Sequence, residues 1–193
     1  MVLPMMSNNL VGILPAAGSS RRFGSNKLIH PLDDGTPIAV RSGQNLQAAV
    51  TNVIAVIRPD ALELGKLLMT EGLTTVINPH PERGIGSSIS HAVQASADAT
   101  GWIIALADMP FIKPDTIKQL VYHLEQSAAV CAPFYQGRRG HPVGFGSEFH
   151  EALLNLDGDQ GASIFLKDCA DQITGFTTTD AMVVRDIDFP EDI

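Results

Sequence analysis

The feature that most constrains this chain is a series of short, uncharged apolar runs, each followed by a helical pattern. Leu10-Val11-Gly12-Ile13-Leu14, Val53-Ile54-Ala55-Val56-Ile57, Thr74 to Ile77 and Trp102 to Leu106 read as strands. Between them, Thr36-Pro37 opens a helix expected to reach Ala49, and Asp60 with Glu63 resembles a capping box for a helix to Glu71. Ser87 to Ser96 and Pro114 to Gln126 read as two more helices. Strands apolar on both faces need cover on both sides, which implies βαβ units and a parallel sheet. Beyond Ala129 the rhythm changes. Val130 to Tyr135 and His141 to Phe145 flank Gly137-Arg138-Arg139-Gly140, a hairpin-like turn that predicts mixed strand directions there. Short helices near Ser147 to Asn155 and Gly161 to Asp168 precede a last strand expected around Met182 to Arg185.

This pattern fits one α/β domain over residues 1–193, with no repeat or linker. The 13 Lys and Arg against 21 Asp and Glu leave a net charge of -8, which argues against a nucleic-acid partner. Met1 to Leu14 lacks a basic leader region, and no window reaches the roughly 18 apolar residues of a membrane span. Cys131 and Cys169 form no CxxC pair and read as core residues of a cytoplasmic protein.

In an open α/β sheet, ligands bind beyond the carboxyl ends of the strands. The first such end carries Ala16-Ala17-Gly18-Ser19-Ser20-Arg21-Arg22-Phe23-Gly24-Ser25-Asn26-Lys27. Small residues let the backbone approach a ligand, and successive N–H groups can form an anion nest. Arg21, Arg22 and Lys27 concentrate positive charge in an otherwise acidic chain. The pattern is neither GxGxxG nor GxxxxGK[ST]. On composition alone, a Gly/Ser loop with solvated arginines stays open.

Those residues carry a resemblance. The run is similar to the LAAGxSxRMGxxK motif of the MobA-like nucleotidyltransferases, above all the molybdenum cofactor cytidylyltransferases, with Pro15 in place of leucine and Phe23 in place of methionine. Asp108, directly after the Trp102 strand and before Met109-Pro110, resembles the family's LxDxP aspartate. Arg185-Asp186-Ile187-Asp188-Phe189-Pro190-Glu191-Asp192 resembles its closing DIDTPEDL. Asn78 to Ser88 is similar to the segment that cradles base and ribose. Gly140-His141-Pro142-Val143-Gly144-Phe145 and Gly158-Asp159-Gln160-Gly161-Ala162 resemble GHPVxF and GDxGA, with Ser163 where arginine usually follows.

The resemblance implies a three-layer α-β-α fold. Its sheet would be mostly parallel and Rossmann-like, of the nucleotide-diphospho-sugar transferase type, with a small antiparallel excursion. It implies catalytic roles for Lys27, Arg22 and Asp108, and nucleotide contacts from Ala16, Ala17, Gly18, Ser20, Arg22, Lys27, Asn78, Gly84 and Ser88. Acceptor contacts would come from His141, Pro142, Asp159 and Gly161, and Mg²⁺ would sit between Asp108 and Asp188. The implied reaction is CMP transfer from CTP to the terminal phosphate of molybdopterin, with a molybdoenzyme or its maturation factor downstream. Read as isolated residues, Asp108 could cap a turn, His141 could be structural, and His80 reads as loop surface. A guanylyltransferase, a transferase on another phosphorylated acceptor such as a sugar phosphate, and a non-catalytic molybdopterin carrier remain open alternatives.

Overall fold

A computed structural model describes residues 9–18, 23, 26–159, 161–168 and 173–193. Four strands, β1 (Leu10–Ala16), β2 (Asn52–Ile57), β3 (Thr74–Ile77) and β4 (Gly101–Ile104), pair in parallel in the order β3-β2-β1-β4. The helices α1 (Ile38–Gln47), α2 (Leu62–Thr70) and α3 (Ile85–Gln94) supply the crossovers that parallel neighbours require. After α4 (Pro114–Glu125) the sheet continues through β5 (Val130–Tyr135), β6 (Arg138–Arg139) and β7 (Val143–Gly146). β7 inserts between β4 and β5 and runs antiparallel to both, which is the expected excursion. The helices α5 (His150–Leu154) and α6 (Ser163–Asp168) then lead to β8 (Ile173–Thr177), parallel to β5.

Alternation along the strands builds two core layers. Leu14, Val53, Ala55, Ile57 and Ile103 face Leu46 of α1, Leu64 and Leu68 of α2 and Leu120 of α4. Val11, Ile13, Ile54, Val56, Trp102 and Ile104 face Ile89 and Val93 of α3, with Leu153 and Leu166. The architecture is therefore α-β-α, with helices on both faces of the sheet. Each fully buried Leu or Ile in these layers contributes about 1.5–3 kcal/mol relative to exposure. Gly12 sets how closely α1 approaches β1: a Cβ there would stand 2.8 Å from the Leu46 side chain.

Several sequence expectations are corrected. The Asp60–Glu63 capping box does not form; α2 starts at Leu62 after Ala61, and Asp60 accepts from Arg58 Nε instead. The 137–140 hairpin is tighter than expected. Its turn is Gln136-Gly137, at φ 49° and 77°, while Arg138 and Arg139 already pair with Tyr135 and Phe134. The strand expected at 182–185 is a 3₁₀ turn over Ala181–Val184. Buried Asp180 imposes that turn, accepting from Met182 N at 3.1 Å while its other oxygen accepts from Lys113 N and Thr116 Oγ1. The final strand among the described residues is Ile173–Thr177, whose sequence signal is weak because Ile-Thr-Gly-Phe-Thr is glycine-broken and only partly buried. Cys131 and Trp102 are core residues, fully buried, and burial pushes the Cys131 thiol up to about 12. Among the described residues no helix is long and apolar enough to cross a membrane.

Candidate active site

The carboxyl ends of β1, β2, β3 and β4 open into a cleft of about 690 Å³. Ala17 and Gly18 line it where the chain leaves β1. Ala16 sits behind them at 2% exposure. Ser20 and Arg22 lie outside the described residues, as does Arg21. The chain returns at Lys27, the first residue of a 3₁₀ turn, and its side chain is buried at the cleft floor.

Lys27 gathers two distant acidic segments. Its Nζ donates to Asp108 Oδ2 at 2.8 Å and to the Ile187 carbonyl at 2.6 Å, and lies 3.8 Å from Asp188 Oδ1. Asp108 is held by the turn that follows β4. Ala105 N extends the β1 ladder by donating to Ile13 O, and Ser42 Oγ and Asn45 Nδ2 of α1 donate to Ala107 O and Pro110 O. The closing segment is pinned to the same place by Ile187 N donating to Asp108 O at 3.0 Å. Asp192 Oδ2 accepts from Asp188 N and Phe189 N, and those backbone donors hold its carboxyl below the usual range. That turn, with the Ile187 tether, fixes the acidic end beside Lys27 and Asp108.

One wall of the cleft is built from the loop after β3 and the start of α3. Asn78 is fully buried and does not line the cleft. Its Nδ2 donates to Ser87 Oγ and Ser88 Oγ at 2.8 and 3.1 Å, and its Oδ1 accepts from His80 N. Asn78 thus fixes the loop, and Ser88 faces the cleft. Ser87 donates to the Gly84 carbonyl and does not cap α3. His80 is largely exposed and pairs with Glu82.

Gly84 must be glycine for two reasons. Its φ is 85°, and a Cβ there would lie 2.4 Å from Asp159 Oδ1 and 2.5 Å from the Gly158 backbone. The GDxGA segment packs directly on this loop. Gly86 N donates to Gly158 O, Gly158 N donates to Arg83 O, and the Arg83 guanidinium grips the Asp157 carboxylate with two nitrogens. Asp159 lines the same cleft as Lys27 and Asp108, and Gly161, at φ 52°, packs against Ile85.

His141 and Pro142 reach the same sheet edge, because β7 runs antiparallel to β4 and begins where β4 ends. They do not line the cleft. His141 N donates to Val183 O, and Nδ1 is buried with no hydrogen-bond partner among the described residues. Burial, then nearby Arg139, push its pKa from 6.5 down to about 4, opposed by Asp186. Between pH 6.5 and 4 the unfolded chain therefore binds the proton that the folded one refuses. Stability is expected to fall as pH drops through that window. Thermal unfolding of His141→Gln should show a flatter dependence there; an unchanged profile removes His141 as its cause.

Of the charged lining residues, the sequence reading did not name Arg58, nor Glu82 within the Asn78 to Ser88 segment. Arg58 was findable by the rule that singled out Asp108, since both follow an uncharged strand at the carboxyl edge. Among the described residues no group of three or more His, Cys, Asp or Glu forms a metal cage. Two carboxylates already gathered round one ammonium nonetheless fit a hard divalent ion, which is usually held by one or two carboxylates plus substrate phosphates.

Residues 12–173 match the model of the MobA-like NTP transferase domain. The chain belongs to that family. It is 30% identical to purine catabolism protein PucB of Bacillus subtilis, over 97% of this chain and 96% of PucB. It is 29% identical to the molybdenum cofactor cytidylyltransferase of Escherichia coli, over 68% of this chain and 67% of that one. The nicotine blue oxidoreductase of Paenarthrobacter nicotinovorans is 25% identical over 86% and 90%. The fold matches that of a nucleotidyl transferase from Methanothermobacter thermautotroptrophicus, with a TM-score of 0.82, 20% identity and coverage of 96% and 94%. It also matches Rv0371c of Mycobacterium tuberculosis in complex with manganese, at a TM-score of 0.79, 21% identity and 95% coverage of each. Membership of that family supports an enzyme of the nucleotidyltransferase class that binds a nucleoside triphosphate, and the two structural neighbours share its fold.

Proposed function

We propose that residues 1–193 act as one cytoplasmic nucleotidyltransferase domain that moves CMP from CTP to the terminal phosphate of molybdopterin and releases pyrophosphate. The observation that carries this reading is the pairing of Lys27 with Asp108 in the cleft lining, with Asp188 Oδ1 3.8 Å from the same ammonium. A carrier without turnover has no use for a buried cation between two carboxylates below a small-residue loop. The relative named as a molybdenum cofactor cytidylyltransferase supports the choice of CTP and molybdopterin.

In this reading an oxygen of the acceptor phosphate attacks the α-phosphorus of CTP, and the bond to the β-phosphate oxygen breaks. A phosphate monoester has its second pKa near ~6, so at neutral pH the nucleophile is already mostly a dianion and needs no general base. Positioning and charge neutralisation then supply the rate. Ala17 and Gly18 let the backbone approach the nucleotide, and Lys27 with Arg22 holds the triphosphate and the departing pyrophosphate. Asp108 and Asp188 would hold Mg²⁺, whose chemistry when bound is to neutralise two anionic reactants. Asp159 in the cleft lining, and His141 behind it, would take the acceptor side.

Ala17 gives the test of nucleotide choice. Ala17 lines the cleft at the end of β1, and its methyl group should crowd a purine more than a pyrimidine. One methyl supplies only about 1–3 kcal/mol, roughly 10- to 200-fold. A kcat/KM preference of that size for CTP over GTP is expected, relaxed by Ala17→Gly. Equal values or a GTP preference in the wild type would remove the cytidylyl assignment and leave nucleotidyl transfer standing.

A further inference from the structure

Arg58 is a cation in the cleft with no role in the reaction just described, and the register of the sheet fixes its neighbours. Ala16 pairs with Ile57 across β1 and β2, so Ala17 and Arg58 leave adjacent strand ends side by side. On the other flank Asn78 N donates to Ile57 O, so Arg58 stands between the loop after β1 and the loop after β3. Val56 faces the α3 layer and Ile57 the opposite one. Continued alternation points Arg58 toward the α3 side, where Pro81, Glu82 and Ser88 line the cleft with it. In the strand order β3-β2-β1-β4 this is the β2–β3 end of the cleft, whereas Asp108 follows β4.

We propose that Arg58 is a specificity-determining residue that reads the nucleobase through two adjacent acceptors. The inference rests on the nucleotidyltransferase reading above. A guanidinium carries only donors, fixed in a planar fork. Asp60 engages Nε, at an exposed position outside the cleft lining, and the two terminal nitrogens carry the other four N–H groups. A fork of that kind pairs with two acceptors side by side. Cytosine offers N3 and O2, and guanine offers O6 and N7. Uracil interrupts its two carbonyls with an N–H, and adenine sets an amino group beside both N1 and N7, so neither base presents such a pair on those edges. Arg58 therefore selects cytosine and guanine over uracil and adenine. Ala17, beside it, then disfavours the purine, and the two residues together leave cytosine. The side chain is 35% exposed, so it can meet a ligand without unfolding its surroundings.

The experiment measures binding of CTP, GTP, UTP and ATP with Mg²⁺ to the full chain, with no acceptor present, for wild type, Arg58→Lys and Arg58→Ala. Lysine keeps the charge and loses the fork. Arg58→Lys is expected to weaken CTP by roughly 5- to 150-fold while UTP and ATP change by less than about threefold, so the CTP:UTP ratio collapses. Arg58→Ala should do the same to CTP, with an unfolding midpoint near the wild type's confirming an intact fold. An equal loss for all four triphosphates would make Arg58 a phosphate contact and overturn the proposal, as would CTP binding unchanged in both variants. Wild type binding none of the four would instead overturn the nucleotidyltransferase reading on which it rests.

Discussion

Asp108→Asn is expected to lower Mg²⁺-dependent pyrophosphate release by on the order of 10²-fold or more, the loss seen when a fixed electrostatic stabiliser is removed. The amide keeps the shape of the side chain and still accepts from Lys27 Nζ, so the fold around the turn after β4 should survive. What disappears is one of two negative charges available to a divalent cation. Asp108 is also the better anchored of the pair, since its carbonyl accepts from Ile187 N while α1 bonds the carbonyls on either side of it. Activity retained across a Mg²⁺ titration would take Asp108 out of the metal site.

The second large effect belongs to Lys27, and it has two parts. Lys27→Ala is expected to reduce kcat by about 10²–10³-fold, because the triphosphate and the departing pyrophosphate lose a fixed cation. The same change should cost stability. Lys27 is buried, and its removal leaves Asp108 and Asp188 facing each other without the ammonium between them. Breaking a fully buried ion pair costs about 3–5 kcal/mol. Here the carboxylates are 25% and 37% exposed, so water screens them and about 1–2 kcal/mol is expected. Chemical denaturation and steady-state kinetics separate the two parts. A variant with wild-type kcat, whatever its stability, would make Lys27 a structural cation only.

That Lys27 is buried was not legible in the sequence, where it reads as the last residue of a surface loop. The reason lies in partners far along the chain: the groups that bury it are 81 and 160 residues away. The parallel half of the sheet was legible because each of its strands is an uncharged run bounded by a helix. Trp102 to Leu106 and Thr74 to Ile77 needed little correction for that reason. Beyond β5 local signals weaken. The glycine in β8 and the buried Asp180, which bonds to α4 across 64 residues, decide that region through long-range hydrogen bonds that no window of sequence displays. Asn78 makes a similar point within the candidate site. Its type suited a ligand contact, yet its amide is spent on Ser87, Ser88 and His80 N, so its influence on the cleft runs through the loop it shapes. The acidic end was legible as a motif, and its order comes from Asp192 closing a turn on Asp188 and Phe189.

The most direct measurement of the account is pyrophosphate release by the purified chain with Mg²⁺, molybdopterin and each of CTP, GTP, UTP and ATP in turn, with the pterin product weighed by mass spectrometry. The account predicts that release is fastest with CTP, requires both metal and acceptor, and yields molybdopterin heavier by one CMP unit. Failure of all four triphosphates to release pyrophosphate, or release with no nucleotide carried to the pterin, would contradict it.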